Sequence, residues 1–145
     1  LEFAYNSRLD TIQAVVARHL LKKIDFITSS RVNHANYFDK NLRDVSQIKI
    51  PNRNEDLYEV FHIYSITCER RDELANYLIS NGVDAKKHYP TPMHLQPAAS
   101  YLNHKKGDFI NAELISSLVL SLPVHEFITK EQQDRVIRLI KNFYI

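Results

Sequence analysis

Only two glycines, Gly82 and Gly107, occur in 145 residues. A Walker loop or a Rossmann fingerprint needs several, because the backbone must approach phosphate where a Cβ would intrude, so neither is built from this chain. Cysteine is scarcer still. The single Cys68 excludes an internal disulfide, and without a Cys pair or an HExxH helix no metal centre is expected. Cys68 has no histidine partner at a nucleophile's spacing and falls at an expected strand end, which fits a small buried hydrophobe. There is no GxSxG elbow. No apolar run approaches the roughly 20 residues of a membrane span, and no signal-peptide pattern opens the chain. An excess of charge is also missing. With 19 Lys and Arg against 17 Asp and Glu the net charge is +2, and the basic residues are scattered, so neither nucleic acid nor membrane is expected as a partner. A cytoplasmic location is the expectation.

What is present is the composition of an ordinary globular domain with one core, 44% hydrophobic and 25% charged. The chain begins at Leu1 without a Met and LEFAYNSRLDTIQAVV runs almost straight into a helix, so the start is expected to be a cut and the chain a piece of something larger. Leu9, Ile12, Val16 and Leu20 follow helical spacing, and Ile24, Ile27, Ala35, Phe38 and Leu42 continue the stripe. One long or kinked helix, or two in succession, is predicted over 8–42, followed by a loop over 43–56. YEVFHIYSIT, 58–67, is rich in β-branched and aromatic residues and reads as a strand covered on both faces.

Asp72 and Glu73 open a helix that Asn81 and Gly82 close, where a left-handed residue is usual. A short strand over 83–87 is predicted next, then a loop near 104–108, a helix over 109–117, and a last strand in LVLSLPV. Thr129 with Gln132 is a capping-box signature for a final helix whose buried stripe is Val136, Ile140 and Phe143. The alternation of helices and strands predicts an α/β fold, an α+β two-layer sandwich with helices packed on a small sheet. The first helix is longer than so small a core needs, and it is expected to bridge to a missing part of the protein.

Between the second and third strands lies HYPTPMHLQP, 88–97, with three of the five prolines. Proline fixes φ and biases the residue before it toward extended conformations, so Tyr89, Thr91 and Gln96 belong to a stiff, extended loop. Two functions remain open. The imidazole, phenol and amide groups can form a preorganised polar small-molecule site, or the segment can be a connector whose polar groups meet water. His88 and His94 lie in irregular structure, where hydrogen bonding to a ligand or plain exposure is expected over metal ligation.

AYNSRLDTIQA, HYPTPMHLQPA, GDFINAELISSLVLSLPVH and EFITKEQQDRVIRLI, in that order and over nearly the whole chain, resemble the C-terminal part of the DegT/DnrJ/EryC1/StrS family of pyridoxal-phosphate-dependent nucleotide-sugar aminotransferases. The resemblance implies the small C-terminal domain of the type I aminotransferase fold, with 1–42 as the helix linking to a missing large domain and 43–145 as the small domain. It implies a homodimer with shared active sites. It also implies that His88 and Tyr89 approach the nucleotide-sugar. His94 and Gln96 match the rest of the motif, as substrate contacts or as residues that hold the loop. Asn6 resembles the residue that hydrogen-bonds the cofactor phosphate of the partner subunit, a role an amide NH2 suits. Arg8 can pair with a phosphate, with the amino donor's carboxylate, or with a nearby acid at the start of the first helix.

The family's Schiff-base lysine, the acid that meets the pyridine nitrogen and the aromatic that stacks on the ring all lie upstream in relatives. Lys86, Lys87, Lys105 and Lys106 stand in no similar context. Transamination needs that lysine both to anchor the cofactor and to move a proton, so the chain alone is expected to be inactive. The resemblance implies a domain or fragment of an enzyme that aminates a nucleotide-linked ketosugar, with glutamate as the expected donor. The alternatives are a non-catalytic nucleotide-sugar-binding module and a dimerisation module.

Overall fold

Asp10 starts the first helix: its carboxylate accepts the Gln13 backbone N–H at 2.8 Å, satisfying a donor that the first turn leaves unpaired. In the computed structural model, which describes residues 9–54 and 56–145, α1 spans Thr11–Leu21 and α2 spans Ile24–Leu42. The predicted helical stretch is therefore two helices in succession. They part at Lys23, whose ψ of 5° leaves the helical region while its N–H bonds the Leu20 carbonyl at 2.8 Å. No residue of α1 is buried. Its apolar stripe is uncovered, with Ile12 79% exposed, and the core begins only at Ala35 in α2.

The sheet has three antiparallel strands in the order β1 (Ile48–Lys49), β2 (Tyr64–Cys68), β3 (Val119–Leu122). Tyr64 faces Leu122 and Ile66 faces Leu120 across β2 and β3. Because side chains alternate along a strand, these four share one side. There they join Phe38 and Leu42 of α2, Leu74 and Leu78 of α3 (Arg71–Ser80), and Val136 and Ile140 of α5 (Lys130–Tyr144) in one core. The other side of the same strands carries the pairs Ser65 with Ser121 and Thr67 with Val119. Helix α4, Ile110–Leu118, runs directly into β3.

The predicted helix ends are found. Gly82 has φ +76°, and the N–H groups of Gly82 and Val83 bond the carbonyls of Ile79 and Leu78, both at 2.9 Å, which is a Schellman closure of α3. Thr129 and Gln132 form both bonds of the capping box on α5. The stripe of α5 differs slightly from expectation: Gln133 and Ile137 are buried with Val136 and Ile140, and Phe143 is half-buried. Each such aliphatic side chain contributes roughly 1.5–3 kcal/mol relative to an exposed one.

Five expectations are corrected. The strand predicted over 58–67 is regular only from Tyr64, because Phe61 has a left-handed φ of 49° and Arg31 of α2 takes the carbonyls of Phe61 and His62 at 3.2 and 3.3 Å, leaving them no place in a ladder. That strand is fully buried on one face only; Ser65 and Thr67 are half-buried. The strand predicted over 83–87 shrinks to one bridge between Lys86 and Ser121, since the Ala85 N–H folds back to the Val83 carbonyl at 2.8 Å. The predicted loop over 43–56 contains β1, and the proline segment contains one 3-10 turn, Met93–Leu95, while its last residue, Pro97, opens a second, Pro97–Leu102.

Candidate functional site

LVLSLPV is an apolar run with one hydroxyl in it. Ser121 is only 4% exposed, and a buried hydroxyl without a partner costs about 1–3 kcal/mol. Its partners come from two neighbouring segments. Across β2 the Ser65 and Ser121 hydroxyl oxygens are 2.9 Å apart. On the opposite edge the Ser121 N–H donates to the Lys86 carbonyl at 2.7 Å and the Lys86 N–H donates back at 3.0 Å. Two residues past that single bridge, His88 reaches the same serine. The His88 Nδ1 lies 2.9 Å from Ser121 Oγ. The imidazole is thus held through Nδ1, with Nε2 the remaining ring nitrogen.

Tyr89 follows, 67% exposed as a residue, its ring set edge-on to the His88 ring with centroids 5.4 Å apart. Its carbonyl accepts from Ser116 Oγ at 2.7 Å, and Ser116 is 7% exposed. Ser116 is placed in turn by the buried Arg71 at the start of α3, whose guanidinium donates to the Ser116 and Val119 carbonyls at 3.1 Å each. A cation there suits the negative end of α4.

His94 and Gln96 turn elsewhere. The His94 side chain is 8% exposed, with Nε2 3.1 Å from Glu113 Oε1, and its ring lies 4.7 Å from that of Phe109. Glu113 also accepts the Gly107 N–H at 2.8 Å. This bond, ahead of His94, holds its carboxyl below the ordinary range. Gln96 is exposed and donates to the Thr91 carbonyl at 3.4 Å, closing the loop on itself. A largely apolar hollow of about 580 Å³ opens between His94, Tyr101 and Phe109. Asn6 and Arg8 lie outside the described residues. The structure therefore brings His88 and Tyr89 together on the polar edge of the sheet and sets His94 and Gln96 into the frame of the loop. Among the described residues no cluster of three or more His, Cys, Asp or Glu is placed to hold a metal, and no helix is long and apolar enough to cross a membrane.

The serines were missed in the sequence. The signal was there for Ser121, a lone hydroxyl in an apolar strand, but its partners depend on register. A second polar cluster also went unseen. Arg53 grips Asp39 with two bonds of 3.0 and 3.1 Å and Glu59 at 3.1 Å. Nothing local in the sequence pairs residues 39 and 53.

The three-stranded antiparallel sheet with helices packed on it is an α/β domain. The profile of the DegT/DnrJ/EryC1/StrS aminotransferase family matches residues 1–141, and the chain belongs to this family. It is 37% identical over 136 residues to the erythromycin biosynthesis sensory transduction protein EryC1 of Saccharopolyspora erythraea, spanning 94% of this chain and 37% of that protein. It is 35% identical over 138 residues to the dTDP-3-amino-3,4,6-trideoxy-alpha-D-glucose transaminase of Streptomyces venezuelae, spanning 95% of this chain and 36% of that one. The crystal structure of S. venezuelae DesV in complex with ketimine intermediate superposes with a TM-score of 0.90 at 31% identity, over 99% of this chain and 40% of DesV. The chain thus spans little more than a third of the length of the relatives it matches.

Pyridoxal phosphate, which the family implies, needs a lysine for its aldehyde and enclosed donors for its phosphate. Among the described residues no lysine is buried. The Lys87 ammonium is bound to Asp72 at 2.5 Å and Lys86 to Asp84 at 3.0 Å. The polar edge of the sheet offers hydroxyls and an imidazole, and the enclosed guanidinium beside it, that of Arg71, is taken up by the Ser116 and Val119 carbonyls. These residues do not fit as the cofactor's cradle, and no chemical step through it is assigned to them.

Proposed function

We propose that this chain is the C-terminal part of a pyridoxal-phosphate-dependent aminotransferase that aminates a ketosugar linked to a nucleotide, with glutamate as donor. The family match along residues 1–141 carries the proposal, and the name of the S. venezuelae relative, a dTDP-sugar transaminase, supports the substrate class. In this role His88 and Tyr89 contact the nucleotide-sugar, with the free imidazole nitrogen and the phenol as hydrogen-bonding groups. His94 and Gln96 hold the loop that presents them. Asn6 bonds the cofactor phosphate of a partner subunit in a cytoplasmic homodimer, and Arg8 pairs with a phosphate or with the donor's carboxylate. Residues 1–42 form the arm to the large domain and 43–145 the small domain; the uncovered stripe of α1 supports an arm that packs on further polypeptide.

The Schiff-base lysine belongs to that larger part, so the 145-residue chain by itself is inactive. Two experiments test this. The upstream reading frame is expected to continue and encode the lysine, and the full-length protein to transfer nitrogen from glutamate to a nucleotide-linked ketosugar while the chain alone does not. A start codon directly before Leu1, with nucleotide-sugar binding and no chemistry, would establish the binding module instead. In the full-length protein Asn6→Ala is expected to weaken cofactor binding by about 1–3 kcal/mol.

A further inference from the structure

Serines in helices commonly satisfy their own hydroxyls by bonding a carbonyl one turn back. Ser117 does so, donating to Leu114 at 2.7 Å, and Ser80 does so with Tyr77 at 2.9 Å. Ser116 does not. It reaches out of α4 to the Tyr89 carbonyl, 27 residues away in sequence. Ser121 likewise sits where a strand buried on both sides would take an aliphatic residue, and it bonds the His88 ring and Ser65. Two buried hydroxyls on adjacent elements therefore converge on the two consecutive loop residues that carry the exposed polar groups.

We infer that Ser121 and Ser116 are positioning residues for the substrate-contacting pair: Ser121 holds the His88 imidazole by Nδ1 and Ser116 holds Tyr89 by its carbonyl, so that Nε2 and the phenol meet the nucleotide-sugar in one preset geometry. This rests on His88 and Tyr89 being the sugar-side contacts. The physical gain is preorganisation. A ring already fixed by one nitrogen loses little freedom when the other binds, whereas a free imidazole must be ordered by the ligand. The Ser65 hydroxyl continues the chain, so that Ser121 can serve the ring and Ser65 at once, one as donor and the other as acceptor.

The test has two independent readouts. In the full-length protein Ser121→Ala is expected to slow the sugar half-reaction about 3- to 10-fold, the range for one uncharged hydrogen bond, and to leave the glutamate half-reaction unchanged. Ser121→Cys, a weaker partner of similar size, is expected to lose less. In a His88→Ala background, Ser121→Ala is expected to add nothing. Separately, nitrogen NMR of the histidine rings is expected to show the His88 Nδ1 signal moved by Ser121→Ala and unmoved by Ser117→Ala. An unmoved Nδ1 signal, or a full additional loss in the double variant, would overturn the inference. If His88→Ala is impaired and Ser121→Ala is not, the inference falls and the sugar-side contact stands. If His88→Ala leaves the sugar half-reaction intact, both fall.

Discussion

The Tyr64 hydroxyl donates to Asp39 at 2.7 Å, joining the first residue of β2 to α2 inside the core. Burial first, and then that carboxylate, hold the phenol well above its ordinary pKa. Asp39 is also gripped twice by Arg53, whose guanidinium lies 4.9 Å over the Phe61 ring and 5.6 Å over the Tyr64 ring. The segment before β2 is thus fastened by charge where it lacks a strand ladder.

Asp39→Ala removes the centre of this cluster and leaves a buried phenol and a half-buried guanidinium without it. The expected loss is about 2–4 kcal/mol, below the full figure for a buried pair because Arg53 retains Glu59 and some solvent. Tyr64→Phe keeps the packing and loses one hydrogen bond, for about 1 kcal/mol. Urea midpoints of the two variants measure both, and an Asp39→Ala loss no larger than that of Tyr64→Phe would mean that the cluster does not hold the segment.

That cluster shows where the sequence stops being legible. Local grammar was readable: the Schellman end of α3, the capping box of α5 and the apolar stripes depend on residues within one or two turns. The strand predicted from Tyr58 failed because a residue 30 positions upstream, Arg31, draws off the Phe61 carbonyl, and no periodicity encodes that. The two residues of β1 are too few for any period to appear. At the candidate site His88 and Tyr89 were legible as a motif, but Ser65, Ser116 and Ser121 acquire meaning only once the register sets Ser65 against Ser121 and Lys86 beside it.

Acid is expected to loosen the turn over 104–113 before the core. Asp108 is held below its ordinary pKa first by the Lys105 backbone N–H at 3.1 Å and then by His104, and Glu113 first by Gly107 and then by His94. A carboxyl depressed in the folded state contributes stability above its unfolded value, about 4, and loses it as the pH falls through the lower folded value. Amide-exchange protection at Gly107 is therefore expected to be constant near neutrality and to decline below about pH 4. Glu113→Gln should lower that protection at neutral pH and flatten its dependence. A wild-type profile flat down to the global acid transition would count against the depressed carboxyls.

Cys68 is expected to be unreactive in the folded chain. Burial pushes its thiol up to about 11, and the thiolate is the nucleophile. At pH 8, alkylation by iodoacetamide should be at least about tenfold slower than in denaturant, since the thiolate fraction and access are both reduced. Equal rates in the two states would show that β2 does not bury the thiol.

The two half-reactions of a ping-pong transaminase run through one cofactor, and each substrate meets its own groups. If His88 and Tyr89 face the nucleotide-sugar, His88→Ala and Tyr89→Phe in the full-length protein impair the sugar half-reaction and leave the glutamate half-reaction nearly untouched. Tyr89 is 67% exposed, so its lost hydrogen bond should cost about 0.5–1.5 kcal/mol, and more only where the bound sugar excludes water from the phenol. Tyr89→Phe also keeps the ring beside His88 and leaves the backbone carbonyl that Ser116 holds, so the loop frame should persist and the loss should report the hydroxyl alone. Single-turnover rates for each half-reaction decide the matter. Equal losses in both would assign the loop to folding or assembly, and no loss in either would return residues 88–97 to a stiff connector.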